Sequence, residues 1–290
     1  GNKAAHDYHL DVPAVQEGFY VKGASNCDWG MKNRMARLFD PKSGNTVMLA
    51  FDHGYIMGPT AGLERIDLVM PPLIPHVNVL MGTKGMIRSC ISPSAQVAKC
   101  VRVTYDTTVL FDDMSNGGGI ACDIENALRM NADCMAVQTF IGTPGESRSL
   151  ELLCRTADAG TRYGIPTLGV VAVGKQMERT EKFFQLATRV LAENGANVVK
   201  SYFCEGFERV AAACPVPIVI AGGKKLPELD ALEMAYQAID QGAHGVDMGR
   251  NIFQSDCPAG MAQAIGKVVH EGYTAKQAYE VYQEVKNQNA

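Results

Sequence analysis

A single lysine interrupts an apolar stretch in the second half of the chain. Lys200 follows two valines within residues 197–203. Burial opposes the charged form of an amine, so it lowers the pKa and exposes a nucleophilic lone pair. A neutral amine attacks a ketone and forms an iminium, which draws electrons from the adjacent carbon–carbon bond. Lys200 is therefore predicted to form a Schiff base. The alternative is a lysine whose stem is buried and whose head reaches a carboxylate at the rim.

Glycines and one arginine follow the last two apolar runs of the chain, as Gly222-Gly223 and Gly249-Arg250. Glycine has no side chain, so backbone N–H groups can approach phosphate oxygens closely. An arginine adds a charge-assisted, bidentate contact. The pattern predicts a phosphate site. The alternative is that the glycines only form tight turns and that Arg250 pairs with an acid such as Asp247.

Asp52 and His53 end the first apolar run and are candidates for moving protons. An aspartate at the end of a strand can equally cap a following helix. His53 has no second histidine or carboxylate at ligand spacing beside it, so no metal site is predicted. Further candidates are other polar residues near the ends of apolar runs, namely Lys84, Tyr105 and Gln138.

Eight short apolar runs position these residues, and each is followed by a helical pattern. Continuous runs rich in β-branched residues are typical of parallel strands that are buried on both faces. About eight strand–helix units in roughly 240 residues predict an α/β fold, the TIM (β/α)8 barrel, whose sites lie at the C-terminal ends of the strands. An open, doubly wound sheet is the alternative. The runs are residues 46–52, 77–81, 100–105, 133–141, 166–173, 197–203, 217–221 and 245–248.

Residues 1–45 precede this repeat and are predicted to form an N-terminal helical extension, while residues 46–290 form the barrel and a C-terminal helix. Residues 29–39 are amphipathic. They form either a helix that closes the bottom of the barrel or an arm that packs on a neighbouring subunit. The apolar residues available for this packing are Trp29, Met31, Met35, Leu38 and Phe39.

A glycine-rich segment, residues 116–119, predicts a flexible loop after the third strand. The segment lacks the lysine and the serine or threonine of a P-loop. A mobile lid or a plain connection is therefore favoured over a nucleotide site.

The composition excludes several classes of protein. The chain has 27 Lys and Arg against 31 Asp and Glu, a net charge of −4, which provides no broad basic surface for nucleic acid or anionic lipid. No apolar stretch approaches the ~18 residues of a membrane-spanning helix. The nine cysteines include no C-x-x-C pair, which favours reduced thiols over a disulfide or zinc framework. We therefore expect a cytoplasmic protein that binds neither nucleic acid nor membranes.

Several of these motifs resemble those of class I aldolases of the archaeal fructose-bisphosphate type: residues 52–54, Lys200, residues 221–224 and residues 249–251. Longer blocks are similar to the branch of that family that acts in autoinducer-2 breakdown and cleaves a phosphorylated pentanedione with coenzyme A. The resemblance covers nearly the whole chain. The longer blocks are residues 22–23, 27–31, 46–67, 214–228 and 238–256.

The resemblance implies a TIM barrel in which Lys200 is the catalytic lysine, Asp52 or His53 transfers protons, and the two glycine segments hold a phosphate. It further implies acetyl transfer from the phosphorylated pentanedione to coenzyme A, which gives acetyl-CoA and dihydroxyacetone phosphate. Coenzyme A is then a co-substrate, no cofactor is bound permanently, and a homo-oligomer, a decamer, is expected. The alternatives are a fructose-bisphosphate aldolase, a metal-dependent aldolase and a non-catalytic barrel that binds a phosphorylated signal.

Two positions depart from the family pattern. Phe140 stands where the archaeal aldolases carry a tyrosine acid–base, and phenylalanine neither donates nor accepts a proton. Tyr105 and Asp106 stand where the coenzyme A-dependent branch carries smaller residues. The phenol of Tyr105 is therefore a candidate for a relocated acid–base.

Overall fold

The fold is described by a computed structural model for residues 1–2, 4–111, 116–173 and 178–290. The strands are β1 (Thr46–Ala50), β2 (Val79–Thr83), β3 (Ala98–Arg102), β4 (Thr104–Tyr105), β5 (Gly119–Ile120), β6 (Cys134–Thr139), β7 (Thr167–Val171), β8 (Val198–Ser201), β9 (Ile218–Ala221) and β10 (Gly245–Met248). The helices are α1 (Trp29–Leu38), α2 (Gly54–Met57), α3 (Ile66–Val69), α4 (Lys84–Cys90), α5 (Ile124–Arg129), α6 (Glu146–Tyr163), α7 (Glu181–Glu193), α8 (Phe207–Ala213), α9 (Glu228–Asp240), α10 (Arg250–Phe253), α11 (Pro258–Glu271) and α12 (Ala275–Gln288), with a 3-10 turn at Ile74–His76.

Eight parallel strands close into a barrel in the order β1, β2, β3, β6, β7, β8, β9 and β10. The ring closes where β10 pairs with β1, from Thr46 opposite Gly245 to Leu49 opposite Met248. Every residue of β1 is buried, because helices cover the outside of the barrel while side chains fill its interior. The prediction of a TIM barrel is confirmed.

The outer helices bury one face against the barrel, as the spacing of their apolar residues predicts. In α7 the buried residues are Phe184, Ala187, Thr188 and Leu191, which recur at intervals of three and four residues along one side. Thr180 caps the start of this helix by accepting a backbone hydrogen bond. The same pattern of apolar spacing places the other long helices around the ring of strands.

Helix α1 closes the end of the barrel at which the strands begin. Met35, Leu38 and the following Phe39 belong to the apolar cluster inside the barrel. Arg37 binds Asp133, which directly precedes β6, with 2.6 Å between Nε and Oδ1. The prediction that this helix closes the bottom of the barrel is therefore confirmed.

The segment that precedes α1 is buried in part and exposed in part. Val21 and Ala24 are buried in the same cluster as α1, whereas Leu10 and Val15 have exposed side chains. Trp29 is 71% exposed, so it does not join the apolar face of the helix as expected. The alternative of an arm on a neighbouring subunit stays a prediction for these exposed residues.

A short antiparallel pair follows β3. Strand β4 pairs with β5 through Thr104 opposite Ile120 and Tyr105 opposite Gly119. Gly118 has a φ of +76°, and a Cβ at this position would lie 2.0 Å from the carbonyl oxygen of Tyr105. Glycine is required there because any side chain would collide with β4. The glycine-rich segment thus leads the chain into this pair, in agreement with the interpretation as a connection.

Within the described ranges, none of the helices combines the length and the apolar character that crossing a bilayer requires. All nine cysteines are free thiols, and six of them are buried among apolar neighbours: Cys100, Cys122, Cys134, Cys204, Cys214 and Cys257.

Replacement of Leu38 by alanine tests the closure of the barrel by α1. Leu38 has no exposed surface, so Leu38→Ala is expected to lower the free energy of unfolding by about 2–5 kcal/mol, through lost apolar contact and the cavity left behind. Chemical denaturation measures this loss. Asn33→Ala, at an exposed position of the same helix, is the control and is expected to change the free energy by no more than about 0.5 kcal/mol. Equal effects of the two substitutions would contradict the packing described.

Candidate active site

A cavity of about 270 Å³ opens at the C-terminal ends of the barrel strands, where this fold carries its sites. The structure brings most of the residues predicted from sequence together in this cavity. Those that line it are Asp52, His53, Gln138, Lys200, Gly222, Gly223, Gly249 and Arg250.

Two other candidates, Lys84 and Tyr105, do not line this cavity. Lys84 donates a hydrogen bond to the carbonyl oxygen of Ala121 and so ties α4 to the chain after β5. Tyr105 is 53% exposed, and its ring lies against Gly119. The structure therefore corrects both candidates: neither side chain is placed to act on a ligand in the cavity.

Lys200 lies in the cavity beside a buried carboxylate. Its Nζ is 3.3 Å from Oδ2 of Asp247, whose side chain has no exposed surface. Neither oxygen of Asp247 accepts a hydrogen bond from the residues that the structure describes. The ammonium of Lys200 is therefore the group that compensates the charge of Asp247, and the pair differs from the rim contact considered as an alternative for this lysine.

The charges around Lys200 correct the expectation of a neutral amine. Burial lowers its pKa, but the carboxylates of Asp247 and Asp52 raise it by more, so the pKa of Lys200 lies above its usual value. The resting lysine is an ammonium and must lose a proton before it attacks a carbonyl. Asp247 is the nearest acceptor, and burial raises the pKa of this carboxyl against the effect of Lys200, which favours transfer of the proton to it.

Arg102 on β3 binds polar side chains of the β1–α2 turn, α2 and β6. Its Nη1 donates to Oδ2 of Asp52 at 2.7 Å, and its Nη2 donates to Oε1 of Gln138 at 2.6 Å. Nη2 also donates to the hydroxyl of Tyr55. Because only 3% of the Arg102 side chain is exposed, these acceptors replace the water that a guanidinium would otherwise bind. Asp52 is thus held by a cation, and its side chain does not cap α2.

A second carboxyl, Asp106, lies beside the same guanidinium. Its Oδ2 is 3.9 Å from Nη2 of Arg102, and its side chain is 2% exposed. Neither oxygen accepts a hydrogen bond within the described part of the chain. Burial raises the pKa of Asp106 to about 6, although Arg102 opposes this shift. Burial likewise raises the pKa of Tyr55, so the phenol keeps its proton in the resting site.

His53 contributes a neutral ring to the cavity. Burial lowers its pKa, and Arg250 and Lys200 act in the same direction against Asp52. Its Nε2 is 2.9 Å from Oγ1 of Thr60, so one ring nitrogen already has a partner. Over residues 1–2, 4–111, 116–173 and 178–290, no group of three or more His, Cys, Asp or Glu side chains is arranged to hold a metal ion.

Asn251 joins the two segments that were predicted to bind phosphate. Its side chain donates to the carbonyl oxygens of Gly222 and Lys224, at 3.0 Å and 3.2 Å, and accepts from the N–H of Leu226 at 2.8 Å. The residue itself is 1% exposed. These three bonds fix the turn after β9 against the start of α10, which holds the Gly222-Gly223 backbone open toward the cavity.

Two guanidinium groups flank the glycine turn. Arg250 lines the cavity and has no carboxylate within 4 Å in the described ranges, because Asp247 pairs with Lys200 instead. Arg179 lies over the ring of Tyr202, 4.2 Å from its centroid. Its Nη1 would be 3.9 Å from a Cβ built on Gly223. The two cations and the open backbone together suit an anionic group such as a phosphate.

Gly249 is required by the way the ring closes beside this anion site. A Cβ at Gly249 would lie 2.6 Å from the carbonyl oxygen of Ala50 on β1. A larger residue would therefore push the end of β10 away from β1 and displace Arg250 with it. The glycine next to Arg250 has a packing role as well as the predicted role at the phosphate.

Sequence reasoning did not assign four residues of this site: Tyr55, Arg102, Arg179 and Asp247. Arg102 and Asp247 stand within apolar strands, which is the signal that singled out Lys200, and the same test applied to every strand would have found them. Tyr55 and Arg179 follow strand ends in segments with no comparable pattern. Only the fold brings Tyr55 to the cavity and Arg179 to the glycine turn.

Comparison with known proteins agrees with this arrangement. The family model described as DeoC/LacD family aldolase matches residues 46–255. The chain belongs to this family of aldolases. It is therefore an enzyme of the class I aldolase type, and the matched range covers the barrel from β1 to α10.

Close relatives of this aldolase are similar over nearly its full length. It is 52% identical to an uncharacterized aldolase of Pasteurella multocida, over 97% of this chain and 96% of the relative. It is 50% identical to the 3-hydroxy-5-phosphonooxypentane-2,4-dione thiolase of Photorhabdus laumondii, over the same shares of the two chains. The thiolase of the same description from Enterobacter is 51% identical, over 98% of this chain and 96% of the relative.

Solved structures support the fold. A fructose-bisphosphate aldolase from Slackia heliotrinireducens superimposes with a TM-score of 0.79 at 18% identity, over 88% of this chain and 90% of that one. An archaeal fructose 1,6-bisphosphate aldolase gives a TM-score of 0.74 at 21% identity, over 83% and 100%. The barrel and its order of strands are thus shared with solved aldolases of low sequence identity.

Removal of the Lys200 ammonium tests the buried pair. Lys200→Met leaves the Asp247 charge uncompensated, so we expect the free energy of unfolding to fall by about 3–5 kcal/mol near pH 7.5. The pKa of a buried, unpaired carboxyl is raised in the folded state, so the loss shrinks as the pH falls toward 5 and Asp247 takes up a proton. Chemical denaturation at the two pH values measures both effects.

The double variant Lys200→Met, Asp247→Asn is the matched control for this prediction. It removes both charges, so we expect it to recover most of the stability lost in the single variant and to lose the extra dependence on pH. A single variant as stable as the wild type at pH 7.5 would contradict the pairing of Lys200 with Asp247.

Proposed function

We propose that this aldolase cleaves 3-hydroxy-5-phosphonooxypentane-2,4-dione with coenzyme A, through a Schiff base on Lys200. The products are acetyl-CoA and dihydroxyacetone phosphate. The observation that carries the proposal is that one cavity is lined by Lys200, by the Gly222-Gly223 turn and by Arg250. The relatives described as thiolases of this substrate, at about half of all positions identical over nearly the full chain, support the same substrate.

The topology of the barrel suits a ketone that carries a phosphate on the neighbouring carbon. Lys200 lies on β8, opposite Val219 of β9, and the Gly222-Gly223 turn follows β9 directly. The amine and the anion site therefore stand on adjacent strands. In the proposed substrate, carbon 4 is a carbonyl and carbon 5 bears the phosphate, so a phosphate in the turn presents carbon 4 to Lys200.

The reaction follows from an iminium at carbon 4. Lys200 passes a proton to Asp247, its amine adds to the carbonyl, and loss of water gives the iminium. The thiolate of coenzyme A then adds to carbon 2. The bond between carbons 2 and 3 breaks, its electron pair moves into the iminium to give an enamine, and the acetyl group leaves on sulfur. Protonation of carbon 3 and hydrolysis of the iminium release dihydroxyacetone phosphate and the free lysine.

Arg102 supports this chemistry without contacting Lys200. It fixes Asp52 by a 2.7 Å hydrogen bond, and Asp52 adds negative charge that stabilises the cationic nitrogen of Lys200. The same charge stabilises the iminium, which is also a cation. Asp52 thus lowers the energy of the intermediate, while Asp247 accepts the proton that the resting ammonium must lose.

Borohydride trapping with dihydroxyacetone phosphate tests the Schiff base. Reduction fixes the iminium as a stable amine, so we expect the mass of the adduct on the peptide that contains Lys200, measured by mass spectrometry after digestion. The Lys200→Met, Asp247→Asn variant, with the charge pair removed as a unit, is expected to give no adduct. Lys182→Met, at an exposed position of α7, is the control and is expected to be labelled as the wild type is. An adduct at another lysine would overturn the proposal.

Dependence on coenzyme A separates the thiolase from a fructose-bisphosphate aldolase. We expect acetyl-CoA to form from the phosphorylated pentanedione only when coenzyme A is present, as measured by chromatography of the products. Cleavage of fructose 1,6-bisphosphate at a comparable kcat/KM without coenzyme A would favour the aldolase instead. Trapping on Lys200 without turnover of either substrate would favour the non-catalytic barrel.

A further inference from the structure

We propose that the phenol of Tyr55 is the acid–base that protonates the enamine carbon, and that Asp106 is a positioning residue that exchanges a proton with this phenol. The inference rests on the proposed function, because it assigns the proton that the enamine needs. It concerns side chains from α2 and from the chain after β4, which sequence reasoning did not assign as an acid–base pair.

The enamine carbon needs a proton carrier that faces the cavity. Phe140, at the end of the fourth barrel strand, has no titratable group, and its side chain is buried away from the cavity lining. Tyr105 is half-exposed and also lies outside the lining. Tyr55 and Tyr202 are the phenols that the described residues contribute to the cavity wall. The choice between these two depends on what holds each hydroxyl.

The Tyr55 hydroxyl is held by a cation, whereas Tyr202 is not held in this way. Nη2 of Arg102 donates to the Tyr55 oxygen, and the guanidinium also lies 4.5 Å from the centre of the ring. A donated hydrogen bond from a buried cation stabilises the phenolate that forms when the proton leaves. In Tyr202, the cation Arg179 covers the face of the ring. Tyr55 therefore has the environment that proton transfer requires.

Asp106 is the group with which Tyr55 can share a proton. Its Oδ2 and the Tyr55 hydroxyl both lie next to Nη2 of Arg102. Neither oxygen of Asp106 has a hydrogen-bond donor among the described residues, although the side chain is 2% exposed. Beyond the dominant effect of burial, the carboxylate raises the pKa of Tyr55 and the phenol lowers that of Asp106. The two groups are thus coupled, behind the cavity wall and out of contact with substrate.

The proton moves in a balanced sequence. In cleavage, Tyr55 gives its proton to carbon 3 of the enamine, the electron pair of the carbon–carbon double bond forms the new C–H bond, and the nitrogen becomes an iminium. The phenolate then takes a proton from Asp106 or, through it, from solvent. In the reverse direction, Tyr55 removes the proton from carbon 3 as it gives its own to the carboxylate of Asp106.

Hydrogen–deuterium exchange of dihydroxyacetone phosphate measures the proton transfer at the enamine carbon separately from carbon–carbon bond cleavage. Without coenzyme A, the wild type is expected to exchange the protons of the hydroxymethyl carbon for deuterium in D2O, as measured by NMR. Tyr55→Phe is expected to slow the exchange by about 100-fold or more, while borohydride still traps the iminium on Lys200. Tyr105→Phe, which removes the phenol next to Asp106 outside the cavity, is the control and is expected to exchange at the wild-type rate.

The pH dependence of the exchange tests Asp106. Proton removal needs Asp106 as a carboxylate, and burial sets its pKa at about 6, so the wild-type rate is expected to rise with pH through about 6. Asp106→Asn is expected to lose this rise and to keep borohydride trapping. Among the residues that the structure describes, the charged and titratable groups that face Asp106 are Arg102 and Tyr55, and both are retained in the variant.

The outcomes separate this inference from the proposed function. Absence of trapping on Lys200 in the wild type defeats the proposed function. Normal exchange in Tyr55→Phe, with trapping intact, overturns the role of Tyr55 alone. A Tyr55→Phe variant that neither exchanges nor traps also overturns it, since the phenol then acts before the enamine. An unchanged pH profile in Asp106→Asn overturns the assignment of Asp106.

Discussion

The buried ion pair between Lys200 and Asp247 is the interaction on which the mouth of this barrel depends. Asp247 has no exposed surface and no hydrogen-bond donor in the described ranges, so a lone charge there would be strongly destabilising. The ammonium 3.3 Å away compensates it, and the carboxylates in turn hold the lysine in its charged form. In the proposed reaction, the amine of Lys200 would therefore become a nucleophile by passing a proton to Asp247, because desolvation alone does not make it neutral.

The other charged residues at the mouth form two groups, one on each side of this pair. Arg102 is surrounded by acceptors on the side of β1, β3 and β6, where it fixes Asp52 and the hydroxyl of Tyr55. Arg179 and Arg250 stand on the other side, next to the glycine turn. The titratable side chains Asp52 and Tyr55 are thus grouped around a cation that donates hydrogen bonds to both, while Arg250 has no carboxylate within 4 Å in the described part of the chain. In the proposed reaction, this separation would let one cavity hold a phosphate and transfer a proton a few bonds away.

Closure of the barrel is what makes this arrangement rigid. The charged residues come from strands that are far apart in sequence, and each strand is fixed in register by two neighbours. Beneath them, the interior is filled by apolar side chains and closed by α1. Asn251 binds the turn after β9 to the start of α10. Because apolar side chains fill the interior below the cavity, Lys200 and Asp247 find their charge partners in each other at the mouth.

The sequence by itself determined the barrel and placed the lysine and the glycine turn at the ends of its strands, because each has a local signature: apolar runs of strand length, a lysine within one of them, and glycines after two others. Sequence did not determine whether Lys200 is charged, which residue pairs with Asp247 or which tyrosine of the strand ends lines the cavity. These depend on which strands become neighbours when the ring closes, since Coulomb interactions and burial act through space. Tyr105 and Tyr55 both follow strands closely, yet only the packing of α2 against Arg102 decided that Tyr55 faces the cavity and Tyr105 faces away.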